Sequence, residues 1–174
     1  MDFLKANYHA HTWRCQHAYD TEREYIEAAI SMGIEIFGFS DHVPCPYQDG
    51  YVSNIRMTMK QAPEYVETIR RLEAEYRDQI IIYAGFEAEY VPEFNEEQMR
   101  MFRNLGCDYM IMGQHFLQSE QNGPYTGTPT DDESRIRDYV TSKNNIKGSH
   151  FMKRGFSASL THITTRNIPT CFAM

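Results

Sequence analysis

The feature that most limits what this chain can fold into is a strand-then-helix alternation. It recurs along the first 116 residues and sets a histidine or a glutamate at the end of each strand. Residues 3–9 read as a short strand ending on His9. A helix is expected from about Thr21, because Thr21-Glu22-Arg23-Glu24 fits a capping box and Tyr25, Ile26, Ala29, Ile30 and Met32 repeat at helical spacing. Gly33 is its natural stop. Residues 34–40 form the next strand, with Asp41-His42 at its end. A long loop rich in Pro, Gly and Tyr leads to a helix with Pro63 in its first turn. Its apolar stripe is Tyr65, Val66, Ile69, Leu72 and Tyr76, and its end is near Asp78. Within residues 79–85, Ile80-Ile81-Ile82-Tyr83 is a continuous apolar run of the kind buried on both faces, and Glu87 and Glu89 follow it. Asn95 is expected to cap a helix through Leu105, ended by Gly106. Residues 108–112 make a fourth strand leading to His115.

Such alternation argues for right-handed parallel βαβ units, as in an α/β barrel or a doubly wound sheet. In either, functional groups gather at the carboxyl ends of the strands, because the βα loops share one rim. His9, His42, Glu87 and His115 each fall at the end of a different expected strand, so folding would bring them together.

Composition removes several classes. The formal net charge of −7, with acidic residues spread through the chain, lacks the diffuse cationic attraction behind non-specific nucleic-acid binding. No nucleic-acid partner is expected. The amino terminus has no charged leader before an apolar run and no stretch suits a bilayer, so no membrane partner and a cytoplasmic location are expected. Cys15, Cys45, Cys107 and Cys171 are scattered without a C-x-x-C pair and read as reduced thiols.

Imidazole and carboxylate are the usual ligands of zinc, manganese or iron, and a carboxylate can bridge two ions. His9 and His11 project to the same side of an extended segment and can chelate one ion. A lone histidine is more often a satisfied surface or core imidazole, but five of the seven histidines lie at strand ends or in an adjoining loop. Glu87 is favoured over Glu89 as the ligand for its nearness to the strand end. At least one of the two is expected to be solvated or to pair with a lysine. Asp41 either orients a ligand histidine through a hydrogen bond or caps the loop after its strand. Arg14, between candidate ligands, suits a substrate phosphate, with a solvated loop arginine as the alternative.

Five segments taken together, Asn7-Tyr8-His9-Ala10-His11-Thr12, Arg14-Cys15-Gln16-His17-Ala18, Gly38-Phe39-Ser40-Asp41-His42, Gly85-Phe86-Glu87-Ala88-Glu89-Tyr90 and the run from Asp108 to Phe116, carry a resemblance. In order and spacing over roughly residues 1–140 they resemble the histidinol-phosphatase branch of the PHP (polymerase and histidinol phosphatase) superfamily. The resemblance implies the N-terminal part of a distorted (β/α)7 barrel of the α/β class. It also implies a centre of up to three divalent ions (Zn, Mn or Fe), with early ligands on His9, His11, His17, His42, Glu87 and His115. The implied reaction is phosphomonoester hydrolysis of L-histidinol phosphate to L-histidinol and phosphate, in histidine biosynthesis. The implied partner is a small phosphate ester. The alternatives are a PHP-type phosphoesterase or nuclease with another substrate, and a non-catalytic metal-binding remnant.

The later ligands of that family have no counterpart here: His150 in Ser149-His150-Phe151 and His162 in Thr161-His162-Ile163 do not match its motifs. The tail, residues 141–174, turns rich in Ser, Thr, Asn and Lys and is expected to be atypical beside a PHP-like domain at residues 1–140. Read one nucleotide earlier, the codons for residues 152–156 permit Glu-Thr-Gly-Leu-Phe, and those for residues 160–162 permit His-Pro, so a frameshift is the expected cause. A partial barrel so produced would expose a strand edge, favour self-association and put the chain's activity in doubt.

Overall fold

The computed structural model describes residues 5–116, 119–123 and 125, together with the backbone of residues 163–165. Its framework is a sheet of β1 (Ala6–Asn7), β2 (Ile36–Phe39), β3 (Ile81–Ala88), β4 (Tyr109–Met112) and β5 (Ile163–Thr165), in that spatial order. The first four strands are parallel, and β5 runs antiparallel to β4. A doubly wound sheet reverses its strand order at a switch point. Strictly sequential parallel order is instead the arrangement of a β/α barrel, and the described residues form one arc of such a barrel, as expected of the PHP type.

Among the described residues three α-helices connect the first four strands: α1 (Glu22–Ser31), α2 (Ala62–Tyr76) and α3 (Asn95–Asn104). The capping box at α1 is present in full, with the Thr21 hydroxyl taking the Glu24 amide while the Glu24 carboxylate takes the Thr21 amide. Replacing Thr21 with Ala is expected to cost about 1 kcal/mol. A thermal midpoint unchanged by T21A would show that this cap is redundant. The apolar stripe of α2 is buried along its whole length, at Tyr65, Val66, Ile69, Leu72 and Tyr76. It packs against Ile82, Ala84 and Phe86, the helix-facing side chains of β3, and against Ile80 just before the strand.

Four expectations change. The β1 pairing covers only Ala6 and Asn7, because the Asn7 side chain accepts the His9 amide at 2.9 Å and turns the chain before His9. β3 runs on through Ala88, so Glu87 is inside the strand and not after it. The apolar run at its start is not buried on both faces, since Ile81 is 50% exposed on the inner side. Asn95 is the first residue of α3 rather than its cap: Phe94 holds that position, without a side-chain cap bond.

The inner face of the arc is organised by Tyr109. Its fully buried ring lies over Gly38 of β2 and Gly85 of β3, where any Cβ would collide with it. Its hydroxyl lies 2.8 Å from both the Tyr8 and Phe39 carbonyl oxygens, at the ends of β1 and β2. One side chain thus spans the sheet just beneath the loops that carry His9 and His42. Among the described residues no helix is long and apolar enough to cross a membrane, and Cys15, Cys45 and Cys107 are free thiols, as expected. Cys171, His150, His162, the boundary at residue 140 and the tail reading lie outside the described residues.

Candidate metal centre

Each strand end delivers one part of a single cluster. The turn after β1 supplies His9 and His11, the short 3-10 turn Trp13–Cys15 leads to His17, β2 ends toward His42, β3 carries Glu87, and β4 leads to His115. The imidazole rings form a contiguous set, with centroids 5.1 Å apart for His9 and His11 and 5.0 Å for His11 and His17. The corresponding separations are 4.5 Å for His11 and His42 and 5.0 Å for His42 and His115. All six residues expected as metal ligands are therefore neighbours. His42 and Glu87 lie at the buried floor, while His9 and His17 are exposed, so the cluster opens to solvent on one side.

Glu87 is the focus. Its Oε2 stands 3.3 Å from His9 Nε2, 3.2 Å from His11 Nε2 and 3.2 Å from His42 Nδ1. Yet Glu87 Oε2 and His42 Nδ1, both buried, make no hydrogen bond to any described residue. Buried polar atoms are nearly always satisfied, so two that face each other unsatisfied call for a further partner. His9 Nε2 and His11 Nε2 lie 3.0 Å apart. Two ligands bound at about 2.0–2.1 Å to one zinc ion are about 2.9–3.4 Å from each other, so this spacing suits a shared cation. Three sets of donor atoms lie within 4.8 Å of one another: His9 with His11 and Glu87, His42 with Glu87 and His115, and His11 with Cys15 and His17.

The protonation states suit the same role. Burial pushes the His42 imidazole down to about 2, which keeps the ring neutral and its lone pair free. Burial alone would raise the Glu87 carboxyl, but the imidazoles of His11, His9, His42 and His115 outweigh it and hold the group well below the usual carboxylate range. Burial also lowers His17, reinforced by His11. The floor thus pairs an anionic carboxylate with a neutral donor, the forms that coordinate metals. Gly113 is required beside it, because a Cβ there would collide with Glu87 Oε1.

The remaining candidates are placed differently from expectation. Among the described residues Asp41 makes no hydrogen bond to an imidazole: it accepts from the Thr12 amide and hydroxyl at 2.6 Å each and from the Cys15 thiol at 2.9 Å. The Cys15 sulfur in turn accepts the His42 amide at 3.0 Å and lies 3.5 Å from His11 Nδ1. Asp41 therefore clamps the segment between His11 and His17. Arg14 is buried, with its Nε donating to Glu22 at 2.6 Å and a second nitrogen reaching Glu64 at 3.5 Å. A buried guanidinium needs an anion, and these carboxylates from the starts of α1 and α2 provide it. Glu89 is neither solvated nor paired with a lysine. It is buried, binding Arg56 at 2.6 Å and His115 Nδ1 at 2.9 Å.

Sequence reasoning missed Thr12, Cys15, Arg56 and Tyr109 as supports. Only Cys15 left a trace, four residues after His11 in a segment already dense in donors.

A family model described as PHP domain matches residues 7–163. A Bacillus subtilis protein named histidinol-phosphatase is 32% identical over 124 residues, covering 68% of this chain and 46% of the relative. A Deinococcus radiodurans protein carrying the name Probable histidinol-phosphatase is 36% identical over 112 residues, covering 63% of this chain and 41% of the relative. The chain thus spans less than half the length of these curated relatives. Among solved structures, histidinol phosphate phosphatase from Lactococcus lactis, complexed with zinc, L-histidinol and phosphate, superposes with a TM-score of 0.68. Its identity is 23%, and the match covers 86% of this chain and 55% of that one. With sequential parallel strands, a histidine and glutamate cluster at their carboxyl ends and a family match across most of its length, the chain belongs to the PHP domain family.

Proposed function

We propose that this chain carries part of a metal-dependent phosphomonoesterase centre of the histidinol-phosphatase kind, acting on L-histidinol phosphate to give L-histidinol and phosphate. The observation that carries the reading is the pair of unsatisfied buried atoms, Glu87 Oε2 and His42 Nδ1, at the focus of the imidazoles. The names of the relatives, and the zinc, L-histidinol and phosphate in the Lactococcus structure, support the choice of metal and substrate.

On this reading His9, His11 and Glu87 would hold one divalent ion and His42, Glu87 and His115 a second, with Cys15 and His17 as further donors beside His11. Bound there, such ions supply Lewis-acid chemistry that offsets phosphoryl charge and acidifies water. The chain's own residues do the positioning. Glu87 keeps a fixed negative charge between the two main donor sets, and His42 presents a neutral nitrogen. Asp41 holds the His11–His17 segment through Thr12 and Cys15. The exposed side, at His9 and His17, is the open approach for a phosphate ester.

The test is to load the purified chain with zinc or manganese, count bound ions, and compare phosphate release from histidinol phosphate with cleavage of single-stranded DNA. The expected result is at least one ion per chain and release from the small ester alone. Fewer than one ion per chain, or cleavage of DNA in preference, would overturn the reading.

A further inference from the structure

Behind the centre lies a buried ion network that touches only one of its candidate ligands. Arg56, 2% exposed, donates to Glu89 Oε2 at 2.6 Å, to Glu120 Oε2 at 2.9 Å and to the Val43 carbonyl at 3.2 Å. Val43 directly follows His42. The other oxygen of Glu89, Oε1, accepts from the His115 amide and lies 2.9 Å from His115 Nδ1. On the opposite edge of the same ring, His115 Nε2 stands 3.6 Å from Glu87 Oε1. One guanidinium thus ties together the chain just after His42, the carboxylate behind His115, and the segment containing Glu120.

The donor inventory decides where the His115 proton sits. Arginine only donates, and an ionised carboxylate only accepts. Glu89 is therefore an acceptor on both oxygens, and its 2.9 Å contact with Nδ1 requires that nitrogen to carry the hydrogen. In the neutral ring Nε2 is then the bare nitrogen, and it faces Glu87. We propose that Arg56 and Glu89 are positioning residues of the centre, together holding the neutral His115 ring with its proton on Nδ1 and its Nε2 lone pair toward Glu87. The consequence for ion affinity rests on the metal-binding role given to His115 above, whereas the tautomer itself does not.

The isosteric change Glu89→Gln separates this role from packing. The carboxamide has one oxygen and one NH2, and two neighbours compete for the oxygen. Arg56 is on one side, and on the other is His115 with both its backbone amide and its ring, the amide losing its acceptor if the oxygen goes to Arg56. The charged guanidinium makes the stronger hydrogen bond, so the oxygen turns to Arg56 and the NH2 faces His115. The ring must then accept at Nδ1 and move its proton to Nε2, where it blocks coordination. Adding Arg56→Met to this variant releases the carboxamide, which can turn its oxygen back to His115.

The experiment uses the full chain with 15N-labelled histidine, read by long-range proton–nitrogen correlation without metal at alkaline pH, followed by cobalt(II) titration. The expected wild-type result is Nδ1–H on His115. E89Q shifts it to Nε2–H and weakens one cobalt ion about 10- to 100-fold, the usual loss when a partner behind a ligand histidine is removed. The ion held by His9 and His11 keeps its affinity, and R56M added to E89Q restores Nδ1–H. An Nε2–H ring in the wild type overturns the proposal whether or not E89Q folds. So does E89Q with Nδ1–H retained and cobalt affinity unchanged. A wild-type chain that binds no cobalt counts against the metal reading, and the tautomer then still decides this one.

Discussion

Replacing Glu87 with Gln is expected to lower zinc or manganese affinity by more than about 100-fold, beyond the range seen when only a supporting partner of a ligand is lost. The reason lies in the geometry. Three imidazole nitrogens converge on Glu87 Oε2 at 3.2–3.3 Å, and the residue is 3% exposed, so its charge sits at the focus of the donors. Gln matches the shape but removes the charge and turns one coordinating oxygen into a hydrogen-bond donor. The metal-free protein responds differently. At alkaline pH the imidazoles that otherwise stabilise the Glu87 carboxylate are uncharged, and a buried carboxylate oxygen without a hydrogen bond to a described residue is then a cost, so E87Q is expected to unfold at the same temperature as wild type or higher. Metal content after dialysis and thermal unfolding without metal check both halves. Undiminished affinity in E87Q would remove Glu87 from the ligand set.

The second large effect is structural. Tyr109→Ala is expected to destabilise the chain by about 3–5 kcal/mol, because a fully buried aromatic ring leaves a cavity against Gly38 and Gly85. Tyr109→Phe, which keeps the ring and loses only the hydroxyl shared by the Tyr8 and Phe39 carbonyls, is expected to cost about 1 kcal/mol. Gly85→Ala overpacks the same site and is expected to cost about 1–3 kcal/mol in the wild type, but little beside Tyr109→Ala, where the ring it strikes is gone. Urea unfolding of the four variants measures this coupling. If Gly85→Ala cost the same in both backgrounds, the ring would not be what demands glycine there.

What the sequence disclosed follows from what is local. The Thr21 cap, the α2 stripe and the alternation of strand and helix depend on residues within a few positions of one another, so the three helices and the succession of four strands along the chain could be read directly. Their spatial order, which separates a barrel from a doubly wound sheet, could not. The candidate ligands were readable because parallel topology collects strand ends, whatever lies between them. Non-local pairing escaped. Gly85 suggested the end of a strand, yet β3 continues because Gly85 through Ala88 pair with Tyr109 through Met112 on β4. Arg56 is an isolated arginine in a polar loop, and its carboxylate partners lie 33 and 64 residues away. Nothing near it in sequence marks it as buried. The position of Arg14 between histidines says nothing of Glu22 and Glu64, which take its Nε and one terminal nitrogen and leave Nη1 without a partner among the described residues.

The strictly sequential order of the parallel strands has a consequence for how the protein responds to its surroundings. His11, His42, Glu87 and His115 come from the four parallel strands and their loops, and of the candidate donors only those from His9 to His17 are close in the unfolded chain. Each further donor joins only after another βα unit has closed its loop, a cost in chain entropy that pairing must repay. The disordered chain therefore offers a divalent ion only the local run from His9 to His17, while the paired sheet adds His42, Glu87 and His115. An ion that distinguishes the two states so sharply pulls the equilibrium toward order, by about 2.7 kcal/mol at a hundred times its dissociation constant. The supply of metal around the protein is then as much a folding condition as temperature is.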